Sequence, residues 1–326
     1  MKKHASALFV CCCLLVISFG AVQNPFSLQY INELKQESQM VMKEQDPLHE
    51  EILAKKEGYE QAAIDARIDP VWKAVPGYNG LMVDVNASYD KMKKLGSFEE
   101  QRLVFEEIKP TVHLEDLPPS PIYKGNEKKP MVSLLVNVAW GNEYIPDMLK
   151  VMKEHGVKST FFLDGSWVKS NPTMATMILE QGHEIGNHAY SHPDMKSLTL
   201  ERMNEELKKT NDVILATLDV TPKWFAPPSG SYSQTVIDQA SVHGMMTILW
   251  SVDTVDWKRP QPEEMVNRVL SKVHPGAMVL MHPTEPTAIG LEDMIKGIQA
   301  KGLELGTVSE LMSESRVHHN GVTLDD

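Results

Sequence analysis

From residue 23 onward the chain contains no cysteine; its only three, Cys11, Cys12 and Cys13, lie together inside one apolar run. The folded part therefore has no disulfide, no thiolate metal site and no cysteine nucleophile. Val10 before the cysteines is not the small residue that a lipid-anchor signal requires, so the three read as hydrophobic residues of a leader. Positive charge is also short. With 32 basic against 44 acidic residues the formal net charge is -12, which argues against a nucleic-acid partner. There is no internal repeat and no long low-complexity tract. The serines of SGSYS (229–233) stand near a bend without a histidine–acid pair at any recognisable spacing, which argues against a secreted serine hydrolase.

What is present begins with an address. Lys2 and Lys3 precede an apolar run from Ala5 to Val22, followed by Gln23, Asn24 and Pro25. Residues 1–23 read as a signal peptide, or as an uncleaved signal anchor, because the run is near the lower length limit for spanning a bilayer. Either way the expected location is extracellular, secreted or membrane-anchored in the cell envelope, with the membrane reached only through this segment.

At 326 residues the chain has room for one large domain and a smaller companion. Residues 24–125 read as a helical stalk followed by a small α+β module. Asn32 to about Ala66 is helical and strongly charged, broken at Pro47 and closed at Pro70. GLMVDV (80–85) alternates like a strand, ASYDKMKKLG (87–96) reads as a short helix, and QRLVFEEIKPTVHLEDL (101–117) returns to extended character. LPPSPIYKGNEKKP (117–130) has linker composition, placing the main domain at 130–315. There, seven short apolar runs alternate with helical stretches: MVSLLVNVA, VKSTFFL, HEIGN, KWFAP, MMTILWSVD, AMVLMH and LELGTV. This is an α/β pattern with a parallel sheet, open or closed into a barrel, whose chemistry collects where the strands end.

His188 and His192 stand four residues apart, a spacing that puts both imidazoles on one face of a helical turn. Alone, such a pair is more often a packing coincidence than a metal site. Its position after HEIGN gives it weight, because other strand ends also present polar groups: Asp253 and Asp256 after TILWSV, and His282 after AMVLM. His183 and His243 fall near strand starts and read as structural.

Five segments in order, STFFLDGSWVKSNP (159–172), GHEIGNHAYSHPDM (182–195), APPSGSY (226–232), WSVDTVDW (250–257) and VLMH (279–282), resemble the polysaccharide deacetylases with a NodB homology domain, carbohydrate esterase family four. The resemblance covers about residues 131–312. It implies a distorted, seven-stranded (β/α) barrel, related to the TIM barrel, that hydrolyses acetyl groups from glycans with one divalent metal, usually Zn2+. Carried onto this chain, it makes His188 and His192 metal ligands, His282 the acid that protonates the leaving amine, and Asp256 the carboxylate that orients it. It also places Trp257, Leu280, Pro228 and Ser229 along the substrate groove and acetyl pocket. A nearby aspartate favours imidazolium, which suits such an acid.

The departures fall on the most demanding steps. The first motif, Thr-Phe-Asp-Asp-Gly in the family, aligns with Asn137, Val138, Ala139, Trp140 and Gly141, so the base and the third metal ligand are both missing. The arginine of the third motif is replaced by Ala226, consistently, since a guanidinium without its carboxylate would be an unpaired charge. A general base is worth about 10² to 10⁴ in rate, and two histidines hold a metal more weakly than three ligands. Asp164, after FFL, is the candidate replacement ligand or base, its alternative being a helix N-cap; Asp194, Glu143 and Asp253 are weaker substitutes. Two readings follow: an exported deacetylase of peptidoglycan or a chitin-like polymer with impaired or altered catalysis, or an inactive glycan-binding pseudoenzyme with a structural or regulatory role in the envelope or spore. Glycan type, acetyl position and oligomeric state are not written in the sequence.

Overall fold

The computed structural model describes residues 24, 26, 29, 30, 46–317, 323 and 324. The leader, 1–23, and most of the expected stalk up to residue 45 lie outside them. The chain divides into two compact units whose sequences interleave: 46–61 with 81–106 in one, 62–80 with 107–318 in the other.

In the first unit Pro47 starts a helix, α1 (Pro47–Lys55), with Asp46 as N-cap accepting from the Leu48 N–H. Proline is well suited to the first helical turn, where its missing N–H has no partner to lose. The second unit opens with an antiparallel hairpin, β1 (Arg67–Asp69) and β2 (Lys73–Val75). Then β3 (Gly80–Asp84), α2 (Val85–Met92) and β4 (Val104–Ile108) follow as strand, helix and strand. Leu48, Ile52, Val83, Met92 and Leu103 form the core of the first unit, with Tyr59, Tyr89 and Phe98 against it.

The second unit is the barrel. Its first strand, β5 (Met131–Val138), is buried on both faces. Val132, Leu134, Val136 and Val138 meet helix residues such as Met148, Leu149 and Ile298, while Leu135 faces inward with Phe162, Ala226, Ile248 and Met278. Along the chain follow α3 (Ile145–Glu154), β6 (Thr160–Leu163), α4 (Gly165–Ser170), α5 (Pro172–Glu180), β7 (Glu184–Asn187), α6 (Leu200–Leu218), β8 (Trp224–Phe225) and α7 (Gln234–Val242). Then come β9 (Met246–Thr247), β10 (Val252–Asp253), α8 (Pro262–Leu270), β11 (Met278–Met281), α9 (Glu285–Gln299), β12 (Glu304–Gly306) and α10 (Val308–Met312). The strand order is β10-β11-β5-β6-β7-β8-β9, parallel throughout, with β12 also on β5. Ser133 pairs with both Met278 and Gly306, so β12 takes the edge of β5 that β6 occupies from Leu135 onward.

Two expectations change. MMTILWSVD is not one strand but β9 and β10, because its middle turns to the inward stretch 117–130: the Ile122 N–H donates to the Thr247 carbonyl at 2.9 Å and the Leu249 N–H to the Ile122 carbonyl at 2.8 Å. Residues 117–130 are correspondingly not a free linker. Ile122 is buried, Asn126 Nδ2 donates to the Pro76 carbonyl, and Lys129 Nζ donates to the carbonyls of Glu310 and Ser313 at the end of α10. Burial lowers the Lys129 ammonium to about 8.

Parallel strands deliver all their carboxyl ends to one rim. Ala139, Asp164, His188, Ala226, Asp256 and His282 follow β5, β6, β7, β8, β10 and β11 within three residues.

Candidate active site

Each side chain at the rim is fixed by the backbone that carries it. The pair after β7 is not on a helical turn, as its spacing suggests, but in a loop in which Ala189 and His192 have φ of 62° and 55°. That left-handed backbone is costly for non-glycine residues and persists because its surroundings impose it. Glu206, on α6, supplies the restraint: its buried carboxylate accepts from the Tyr190 and Ser191 N–H groups and from Ser191 Oγ, each at 2.8 Å, and pairs with Arg202. Asn187 Oδ1 also accepts from the Ala189 N–H. The loop brings the His188 and His192 rings to 5.1 Å between centroids at 70°.

His188 is fully buried, and its Nδ1 lies 2.7 Å from the Ala226 carbonyl. A carbonyl only accepts, so Nδ1 carries the proton and Nε2 presents its lone pair. Burial first, then the neighbouring His192, depress its pKa to about 3, so the imidazole stays neutral; His282 contributes in the same sense. Ala226 belongs to the apolar cluster that holds Leu135, Phe162 and Ile248.

A second assembly stands at the ends of β10 and β11. Asp256 is completely buried in a short turn between Val255 and Arg259, both with positive φ. Its Oδ1 lies 2.8 Å from His282 Nδ1, and its Oδ2 accepts from the His282 N–H at 2.6 Å and from Thr287 Oγ1 at 2.7 Å. With Nδ1–H anchored on a carboxylate, His282 turns its Nε2 to the rim, the arrangement an acid–base imidazole needs.

Asp164 is the N-cap of α4, its Oδ1 accepting from the Trp167 N–H at 2.9 Å and from Ser166 Oγ at 2.6 Å. Its Oδ2 is buried and has no hydrogen-bond partner among the described residues. Desolvation raises the pKa of this carboxyl, against the pull of those hydrogen bonds and of His192. Asp194 accepts from Ser231 Oγ, and Asp253 Oδ1 accepts from the Val255 N–H. Leu280 is buried in β11, Pro228 is buried, Ser229 has φ 53°, and Trp257 is exposed on the rim.

At the end of β5 stand Ala139 and Trp140. Gly141 has φ +84°, and a Cβ there would lie 2.0 Å from the Pro283 carbonyl, so only glycine permits the loop to lie against the turn after His282. The Trp140 indole thereby stacks on the His282 ring, centroids 5.9 Å apart and planes within 8°, while 46% of it stays exposed.

The donors do not fit a three-ligand metal centre. Among the described residues no group of three or more histidine, cysteine, aspartate or glutamate side chains comes close enough to hold an ion. Two imidazoles and the orphan oxygen of a helix cap are what the rim offers. The sequence did not reveal Trp140 as a ring against His282, nor Thr287 and Glu206. Glu206 left a trace, since it is a charge on the apolar face that Met203, Leu207, Thr210 and Ile214 mark along α6.

A family model described as Polysaccharide deacetylase matches residues 124–248. An uncharacterized protein, YlxY, of Bacillus subtilis (strain 168) is 54% identical over 304 residues, 93% of this chain and 95% of that protein. The peptidoglycan-N-acetylmuramic acid deacetylase PdaA of the same organism is 31% identical over 203 residues, 60% of this chain and 76% of its own. The crystal structure of a CE4 family pseudoenzyme from Bacillus anthracis is similar at TM-score 0.80 and 50% identity, covering 84% of this chain and 100% of that one. A mutant of that pseudoenzyme with restored enzymatic activity has also been solved, at 49% identity and TM-score 0.80, covering 83% and 99%.

Proposed function

Because the chain belongs to the polysaccharide deacetylase family, carbohydrate esterase family four, we propose that it is a member whose chemistry is disabled and whose barrel mouth binds N-acetylated cell-wall glycan of the peptidoglycan type. One observation carries this reading: Ala139 and Trp140 follow β5 at the positions where the family resemblance implies two aspartates, and the Trp140 indole lies parallel to the His282 ring, centroids 5.9 Å apart. Neither side chain can take a proton from water or ligate a cation. His282 and Asp256 would still hold and orient a proton, but without a base to raise a nucleophile that proton has no leaving group to meet.

The protein acts outside the membrane in this proposal, delivered by residues 1–23; among the described residues no helix is long and apolar enough to cross a bilayer. A divalent ion such as Zn2+ has only His188 and His192 to hold it, and binding of the glycan does not depend on it.

The retained His282–Asp256 pair favours a second reading, slow deacetylation. Acetate release from N-acetylated peptidoglycan, with zinc present, separates the two: no release above that of His282→Ala is expected. The double substitution Ala139→Asp with Trp140→Asp should bring release and zinc binding up together, by at least about the 10²-fold that a base typically contributes. The restored activity of a mutant of the related pseudoenzyme supports this expectation. Release by the unaltered protein would establish the enzyme reading instead.

A further inference from the structure

Beside the stacked pair lies a cavity of about 380 Å³ lined by Trp140, Tyr144, Trp257, Glu143, Arg259 and Glu285. Its size falls within the roughly 300–1,000 Å³ typical of small-ligand sites. We propose that this cavity is a pyranose subsite created by Trp140: a position to which the family resemblance assigns a carboxylate here supplies a stacking platform, and one uncharged sugar unit of a glycan chain lies between the two indoles. The proposal rests on the glycan-binding reading and names the place and the class of ligand.

Three features carry it. Two large aromatics are left open to solvent at one rim, Trp140 at 46% and Trp257 at 55%, where an isolated soluble protein gains nothing from exposing them. A flat indole face matches the C–H face of a pyranose, and burying that apolar contact is favourable without a charge on the ligand. Next, Trp140 is held in position before any ligand arrives. One side rests on His282, Gly141 lies against Pro283, and Asn142 ties the following turn to α4 by accepting from Trp167 Nε1 at 2.6 Å. Preorganised aromatics of this kind lose little entropy on binding.

The polar groups at the cavity edge complete the argument. The side chains of Glu143, Glu285 and Arg259 make no hydrogen bond or ion pair among the described residues, so two acceptors and one donor remain available. Sugar hydroxyls both donate and accept, and a mixed edge of this kind suits them. Lys258 lies over the Trp257 ring at 4.9 Å. Two carboxylates are thus offset by two cations, and the cavity gives no charge reason to prefer an ionised ligand.

The test is calorimetric titration of the full chain with the tetramer of N-acetylglucosamine, beside sedimentation with insoluble peptidoglycan. Trp140→Ala should weaken tetramer binding at least about tenfold, as expected for a stacking anchor, and Trp140→Tyr should keep it within about threefold. Both replace a half-exposed ring, and an unchanged thermal midpoint shows that the barrel has not moved. Equal affinity for Trp140→Ala and the unaltered protein would overturn the subsite while leaving glycan binding in place. A protein that sediments with peptidoglycan but ignores the tetramer would overturn it too, and one that does neither would remove the glycan reading itself.

Discussion

At the scale of single residues, burial sets protonation. His183 precedes β7 with only 3% of its surface exposed; its Nδ1 accepts from the Ser159 N–H at 3.2 Å and its ring meets Phe161 edge-on. Desolvation, and then the Lys158 ammonium, lower its pKa to about 4. The unfolded chain takes up this proton near 6.5 and the folded chain only near 4, so between those values the unfolded state binds more protons and stability falls with falling pH. The contribution at neutral pH is on the order of 3 kcal/mol at most. His183→Gln keeps an acceptor without a titrating group, and the slope of its unfolding free energy between pH 6.5 and 4.5 should be flatter than that of the parent; equal slopes would assign the effect elsewhere. This histidine was legible as structural from its place at a strand start. Trp140 was legible only as a missing aspartate, because its ring position depends on the contact of Gly141 with Pro283, some 140 residues distant in sequence, which no local pattern records.

At the scale of elements, α6 organises the rim from behind. The buried face of this helix carries Met203, Leu207, Thr210, Ile214 and Leu218, and into that stripe falls Glu206, whose carboxylate gathers the backbone of the β7 loop. A buried carboxylate with several donors is stabilising only while the set is complete. Glu206→Ala leaves the Tyr190 and Ser191 N–H groups without their acceptor, at a cost of about 2–4 kcal/mol. Hydrogen exchange should therefore accelerate at Tyr190 and Ser191 more than at the α6 amides, and the thermal midpoint should drop; exchange at the loop unchanged from the parent would mean that the loop holds itself. The alternation of β5 and the length of the apolar runs made most strands readable. MMTILWSVD misled because its hydrophobic continuity concealed a change of partner: Ile122, outside the expected main domain, takes the hydrogen bonds that would have joined β9 and β10 into one strand.

At the scale of the whole molecule, a parallel barrel gathers residues from six strand ends, and on the proposed reading the groups lost after β5 and β8 disable the assembly while its shape stays. The core that positions the rim does not pass through the missing groups: Val136 and Val138 still bury against the helices, and β6 still pairs with β5 up to Val138. On that reading fold and catalytic competence are separable, and metal dependence should be lost with the latter. A ligand that binds only the folded state raises stability in proportion to the logarithm of its concentration over its dissociation constant. With no three-ligand cluster among the described residues, zinc at micromolar concentration should leave the thermal midpoint of the parent chain nearly unmoved, and dialysis against a chelator should change peptidoglycan binding less than about twofold. The Ala139→Asp, Trp140→Asp double variant should respond to the same zinc with a rise in midpoint that the chelator reverses. A parent chain that loses stability or glycan binding on chelation would mean that His188 and His192 recruit a third ligand, Asp164 Oδ2 being the unpartnered oxygen at the same rim.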